Sequence, residues 1–191
     1  MKLNNIPIGQ LAMEFISVVF AVLLALGLNS YKQSIDINEE AKIIKASILK
    51  ECHQNKAKID SMLIANQSYA SYLDSLVSLD PDEVNNVTFK YNLELLTDAA
   101  WVIAQNNSAI NKLDQEFLIN VAEIYQTQIF FTEFSRSFFE NLGSFVIKQD
   151  ENPPYSTALA LYFNVNIINN SCSELLNTYQ DLFDKYETTT E

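Results

Sequence analysis

Residue types that could do chemistry are few in this chain and poorly placed for it. His53 is the only histidine. A zinc site would need a second imidazole or a cysteine cluster beside it, and no such arrangement is present. His53 follows Cys52 directly, but adjacent helical residues point about 100° apart and do not form a nucleophile–base pair. A di-iron bundle wants Glu-x-x-His on facing helices, which a lone histidine cannot supply twice. Acidic groups such as Glu39-Glu40 and Asp80/Asp82/Glu83 read as hydrophilic ends and turns. Three scattered glycines cannot build a phosphate-cradling loop. The expectation is a protein that is not an enzyme and uses no cofactor or metal.

Two smaller constellations remain. Cys52 and Cys172 are the only cysteines. They allow one disulfide if the domain faces an oxidising compartment, or else two thiols packed as small apolar groups. Trp101, Asn107 and Tyr125 surround a short helix and its turn. Such side chains line ligand pockets between helices, and they also fill cores where the indole N–H is satisfied locally.

The elements that must carry these residues begin with an apolar stretch. Leu11 to Leu28 is interrupted only by Glu14 and Ser17 among polar residues, and Phe15 to Leu28 carries no charge. A helix needs about 20 residues to cross a hydrocarbon core of about 30 Å. Ile8 to Tyr31 supplies that length, with Gln10 and Glu14 near one interface and Tyr31-Lys32 at the other. Two rival readings stand beside this one. A cleaved signal peptide would use Ala25-Leu26-Gly27, although Lys2 is the only basic residue ahead of it. A buried core helix would also fit a charge-free run.

Gln10, Glu14, Ser17, Ala21, Ala25 and Asn29 recur at spacings of three and four, so they stack along one stripe of this helix. Ser17, Ala21 and Ala25 are small enough for a second membrane helix to approach closely. A carboxylate such as Glu14 costs about 2–3 kcal/mol at the centre of a bilayer and should therefore face protein or water. The expected partners are the lipid bilayer and, through this stripe, a second copy or another membrane protein.

Beyond the anchor, apolar residues keep helical spacing through Ile37, Ala41, Ile44, Ile48, Cys52, Ile59, Leu63, Tyr69 or Ala70, Leu73 and Val77, with Glu39, Glu40, Lys50, Glu51 and Lys58 assigned to other faces. No Gly or Pro falls between Leu28 and Leu79. One continuous rod is expected, projecting about 65 Å past the membrane at 1.5 Å per residue. Asp80-Pro81-Asp82 ends it. Val84 to Leu95 then alternates with period two, which suggests an extended segment. With no partner strand, it is read as a packed crossing loop or an irregular helix start.

Thr97 or Asp98 is placed to cap a short helix, and Asp114 a long one reaching Gly143 and the Asn152-Pro153-Pro154 break. A last helix runs from near Tyr155 to Tyr186, followed by a frayed end at Thr188–Glu191. The predicted fold is all-α, an N-terminal transmembrane helix continuing into an antiparallel bundle of three long helices and one short one. Residues 1–31 form the anchor and 32–191 the bundle, helical over about 32–79, 97–106, 114–150 and 155–187.

Composition agrees with a packed helical protein. Hydrophobic residues make up 48% of the chain and charged residues 19%, and low Gly and Pro counts favour long uninterrupted elements. The formal net charge of -12, with scattered basic residues, argues against nucleic acid and against a basic lipid-binding patch.

Glu14, the run Val18-Val19-Phe20-Ala21-Val22-Leu23-Leu24-Ala25-Leu26 and Asn29 before an aromatic carry a resemblance. So do Thr97-Asp98-Ala99-Ala100-Trp101, Asn107-Ser108-Ala109 and the helix reaching Tyr125. About half the chain resembles a widespread bacterial group of membrane-anchored proteins that pair such a segment with a helical domain of unknown function. The resemblance implies a single-pass protein of the bacterial cytoplasmic membrane and transfers no activity. A short N-terminal tail and a large acidic C-terminal domain favour a bundle facing the periplasm or exterior. The function expected first is a non-enzymatic interaction, scaffold or accessory protein. The alternatives are a ligand-sensing module binding a small molecule or peptide near Trp101, and a secreted helical protein after signal cleavage.

Overall fold

A computed structural model describes residues 8–147 and 153–187. It contains four α-helices: α1 (Ile8–Val77), α2 (Ala99–Gln105), α3 (Gln115–Ile147) and α4 (Pro154–Tyr186). Short 3-10 turns at Pro81–Glu83 and Ser108–Lys112 complete the regular structure, and no strand occurs among the described residues.

The first helix runs unbroken for 70 residues, about 105 Å at the usual rise. Its two halves have opposite surroundings. An 18-residue window in the N-terminal half has a mean hydropathy of 2.1 and is 0% buried. From Ala41 onward one face enters the core, and most of its buried positions fall into two series spaced by seven. Ala41, Ile48, Asn55, Met62 and Tyr69 make one; Cys52, Ile59, Asn66 and Leu73 make the other. Such a repeat keeps one seam turned toward its partners along the whole helix. Glu51, which the sequence pattern assigns to an outer face, is only 7% exposed and lies beside the two series, seven residues after buried Ile44.

Helix α4 packs along α1 in the opposite direction. The hydroxyl of Tyr155 at its start donates to the carbonyl of Val77 at 3.3 Å. Beyond its other end, Glu187 meets His53 Nε2 at 2.8 Å. Its core face runs through Leu161, Val165, Ile168, Cys172, Leu175, Tyr179 and Leu182, whereas Phe163 lies mostly in solvent. Helix α3 starts at Asp114, whose carboxylate accepts the Phe117 N–H at 2.9 Å as the capping pattern predicts. It buries Phe117, Val121, Ile124, Tyr125, Phe131 and Phe138 and continues to Ile147, while the closing Asn152 lies outside the described residues.

Residues 84–98 form neither a helix nor a loose loop. This stretch lies extended and antiparallel along α1, burying Val84 and Val87. An extended chain presents peptide groups that a neighbouring strand would normally satisfy, and buried peptide groups must find partners. Here side chains of α1 take that role. The Asn66 carboxamide accepts from Asn92 N–H at 2.9 Å and donates to Asn92 C=O at 3.0 Å. Asn55 does the same at Thr97, at 3.0 and 2.7 Å. Tyr72 receives the Thr88 N–H, and Lys58 reaches the Leu95 carbonyl. The spacing matches, since eleven helical residues and five extended ones each cover about 16 Å.

Candidate functional site

The densest polar cluster gathers where α1, the end of the extended segment, α3 and α4 meet. Glu51 is its centre. Its carboxylate accepts the Tyr125 hydroxyl at 2.6 Å, the Thr97 hydroxyl at 3.1 Å and the Ala100 N–H at 3.1–3.2 Å. The last contact caps α2 from another helix, whereas Asp98, at the N-cap position, makes no side-chain cap bond. A carboxylate at a helix start meets both unpaired N–H groups and the positive end of the dipole. One turn along α1, Asn55 donates to Gln128 Oε1 at 3.2 Å, and Gln128 donates to the Thr97 carbonyl at 3.2 Å. Tyr179 completes the cluster by donating its hydroxyl to Gln128.

The electrostatics keep these groups as donors and acceptors rather than reactants. Burial raises the pKa of Tyr125, and its neighbours Cys52 and Glu51 push it further up, so the phenol stays protonated. Burial also raises Tyr179. The Cys52 thiol, in weak contact with the Tyr125 oxygen at 4.0 Å, is pushed up by burial to about 12. A thiol held there is a poor nucleophile at neutral pH. The cluster therefore binds four chain segments together.

The residues singled out from the sequence are distributed as follows. Trp101 stacks on Tyr125 with ring centroids 5.7 Å apart and planes 5° from parallel. Asn107 is engaged elsewhere: it accepts the Ala109 N–H at 2.8 Å to start the second 3-10 turn and donates to Glu40 at 2.7 Å. Trp101 and Tyr125 thus share a contact, while the hydrogen bonds of Asn107 go to other partners. Cys52 and Cys172 are both buried free thiols, and burial raises Cys172 likewise to about 12. His53 stacks on Phe183 at 3.7 Å while paired with Glu187. No group of three metal-ligating side chains occurs among the described residues.

On the N-terminal half of α1, Glu14, Ser17, Ala21, Ala25 and Asn29 are all exposed along the bare helix. The side chain of Gln10 lies outside the described residues. Ser17 donates to the Met13 carbonyl at 2.8 Å, which hides its hydroxyl against its own helix and leaves a small surface. Around the stripe stand Phe15, Phe20, Leu23 and Leu26, each more than half exposed.

Sequence reasoning missed the polar seam of α1. Glu51, Asn55 and Asn66 look like surface residues by type, yet all three are buried, Asn55 and Asn66 within the two heptad series and Glu51 beside them. The seven-residue spacing that links Asn55 with Ile48 and Met62, and Asn66 with Ile59 and Leu73, was the signal available. No family model, curated protein or solved structure matches the chain.

Proposed function

We propose that this chain is a single-pass membrane protein in which α1 crosses the bilayer and continues into an antiparallel helical bundle, and that it acts by interaction rather than catalysis. One observation carries the reading: the apolar half of α1 is wholly unburied, yet joins the core-forming half without a break. Exposing so much contiguous apolar surface to water is untenable for a monomer, and a bilayer is the solvent that suits it. A soluble core helix would bury that window. A cleaved signal would part the chain at Gly27, inside a helix that continues for another fifty residues.

In this reading the anchor lies in a bacterial cytoplasmic membrane with the bundle on the periplasmic or outer side. The stripe of Ser17, Ala21 and Ala25 is the contact face for a second transmembrane helix. The hydrogen-bonded cluster around Glu51 and the raised thiols support a scaffold over an enzyme.

Alkaline extraction of membranes, followed by N-terminal sequencing of the protein in the pellet, tests the anchor. Retention with an intact N-terminus is the expected result; release of a chain starting near Leu28 would establish secretion instead. Crosslinking in intact cells with mass spectrometry then tests the interaction. The Ala21→Leu/Ala25→Leu variant should lose the crosslinked partner, and an unchanged complex would remove the stripe from the argument.

A further inference from the structure

A groove of about 240 Å³ lies between the extended segment and the outer side of α3. Its walls are apolar: Leu93 and Leu95 on one side, Phe131 and Phe139 on the other. Two features of it lack a structural explanation. Ser135, 1% exposed, lines the groove with a hydroxyl that has no hydrogen-bond partner. Thr127 and Thr132 on the same helix instead bond the carbonyl one turn back. A buried hydroxyl without a partner is destabilising, and sites that tolerate one are candidates for a ligand.

The second feature is charge. Arg136 is the only arginine in the chain. It lines the groove opposite Glu94, and neither takes part in an ion pair among the described residues. Glu133 and Glu140, one turn away on α3, do not pair with it either. One uncommitted guanidinium and one uncommitted carboxylate over an apolar cleft match a small molecule carrying both charges and an apolar body. The volume lies below the range usual for drug-sized ligands, roughly 300 Å³ and upward, so the occupant is small.

We propose that this groove binds a free α-amino acid with an apolar side chain. Its carboxylate sits on the Arg136 guanidinium, which offers parallel N–H donors to two oxygens. Its ammonium faces Glu94, its side chain lies against Phe131 and Phe139, and the Ser135 hydroxyl gains a partner. On the membrane reading above, the groove stands about 50 Å along α1 from Leu28, beyond the reach of a lipid headgroup. That last point rests on the anchor, whereas binding itself does not. A direct measurement in detergent therefore separates the two.

The experiment is calorimetric titration of the full chain in mild detergent with L-leucine and L-phenylalanine. Phenylpropionate, lacking the ammonium, and phenethylamine, lacking the carboxylate, are run beside them. Either amino acid should bind, with both truncated analogues at least about tenfold weaker, the usual loss when one charge-assisted hydrogen-bond partner goes missing. Arg136→Gln, an exposed change that leaves the core untouched, should weaken binding by a similar factor, and Glu94→Gln by less. Ser135→Ala should weaken binding while raising the unliganded melting temperature, because it removes the unsatisfied hydroxyl. Absence of binding by either amino acid up to about 10 mM overturns the proposal. So does binding that Arg136→Gln leaves unchanged, or equal affinity for phenylpropionate.

Discussion

Glu51 shows how one buried carboxylate can organise several segments. It holds Tyr125 from α3, Thr97 from the extended segment and Ala100 at the start of α2. Removing a partner from such a site strands the others, and breaking a buried charged network commonly costs about 3–5 kcal/mol. Glu51→Ala should therefore lose about 3 kcal/mol in urea unfolding. Glu51→Gln should lose less, because an amide keeps one acceptor oxygen. A loss below about 0.5 kcal/mol for the alanine variant would mean that the cluster is dispensable. The buried thiols give a second prediction. Cys52 and Cys172 rise from an ordinary 9.0 to about 12 on folding. Above pH 9 the unfolded chain releases these protons first. The stability they contribute is complete below pH 9 and is lost as pH climbs toward 12, with a slope of about 1.4 kcal/mol per pH unit for each group. The Cys52→Ala/Cys172→Ala variant should show a shallower alkaline decline in denaturant midpoint. An identical slope would assign the decline to the buried tyrosines instead.

At the scale of elements, the extended segment 84–98 stands where a fourth long helix would complete a conventional bundle, and α1 holds it by carboxamides. Asn66→Ala removes both the donor and the acceptor for Asn92 and should cost about 2 kcal/mol, and the Asn55→Ala/Asn66→Ala pair should cost more. Hydrogen exchange should then accelerate at Asn92 and Thr97 before it does in α4, since local opening follows the loss of local contacts. Uniform acceleration across the molecule would instead make the segment inseparable from the global fold.

The period-two run within Val84 to Leu95 hints at extended chain, but without a partner strand it reads as a crossing loop or an irregular helix start; the helical pattern of α1, α3 and α4 is legible directly. The manner of the extended segment's pairing is not. Asparagine is by type a turn or surface residue, and only a partner's backbone, distant in sequence, makes Asn55 and Asn66 interior residues. For the same reason local sequence points to Thr97 or Asp98, one or two residues ahead of α2, as its cap. The cap is supplied by Glu51 across 49 positions. Local patterns predicted elements well because helix spacing is local. The cluster and the groove were invisible because each is assembled from segments that meet only in the fold.

At the scale of the whole molecule, α1 joins two bodies that share a helix and little else. Residues 12–36 are exposed throughout, and the core begins with Ile37 and Ala41. Residues 12–36 therefore add no packing energy to the core, and on the membrane reading proposed above their apolar surface is what a bilayer would cover. On that reading α1 would fix the height and orientation of the helical domain, because a helix without Gly or Pro past Leu28 has no hinge. Deleting residues 1–31 should release the protein into the soluble fraction while its melting temperature moves by less than about 2 °C, as residues 12–31 are exposed throughout. A fall of more than about 5 °C on deletion would mean that the apolar half of α1 folds back onto the bundle and contributes to its core. Placing Pro at Ser34 should leave both membrane retention and melting temperature in place, because the kink falls between the two bodies. Distances measured by paired spin labels between the anchor and α4 should broaden in that variant, and an unchanged narrow distribution would place the rigidity outside the helix itself.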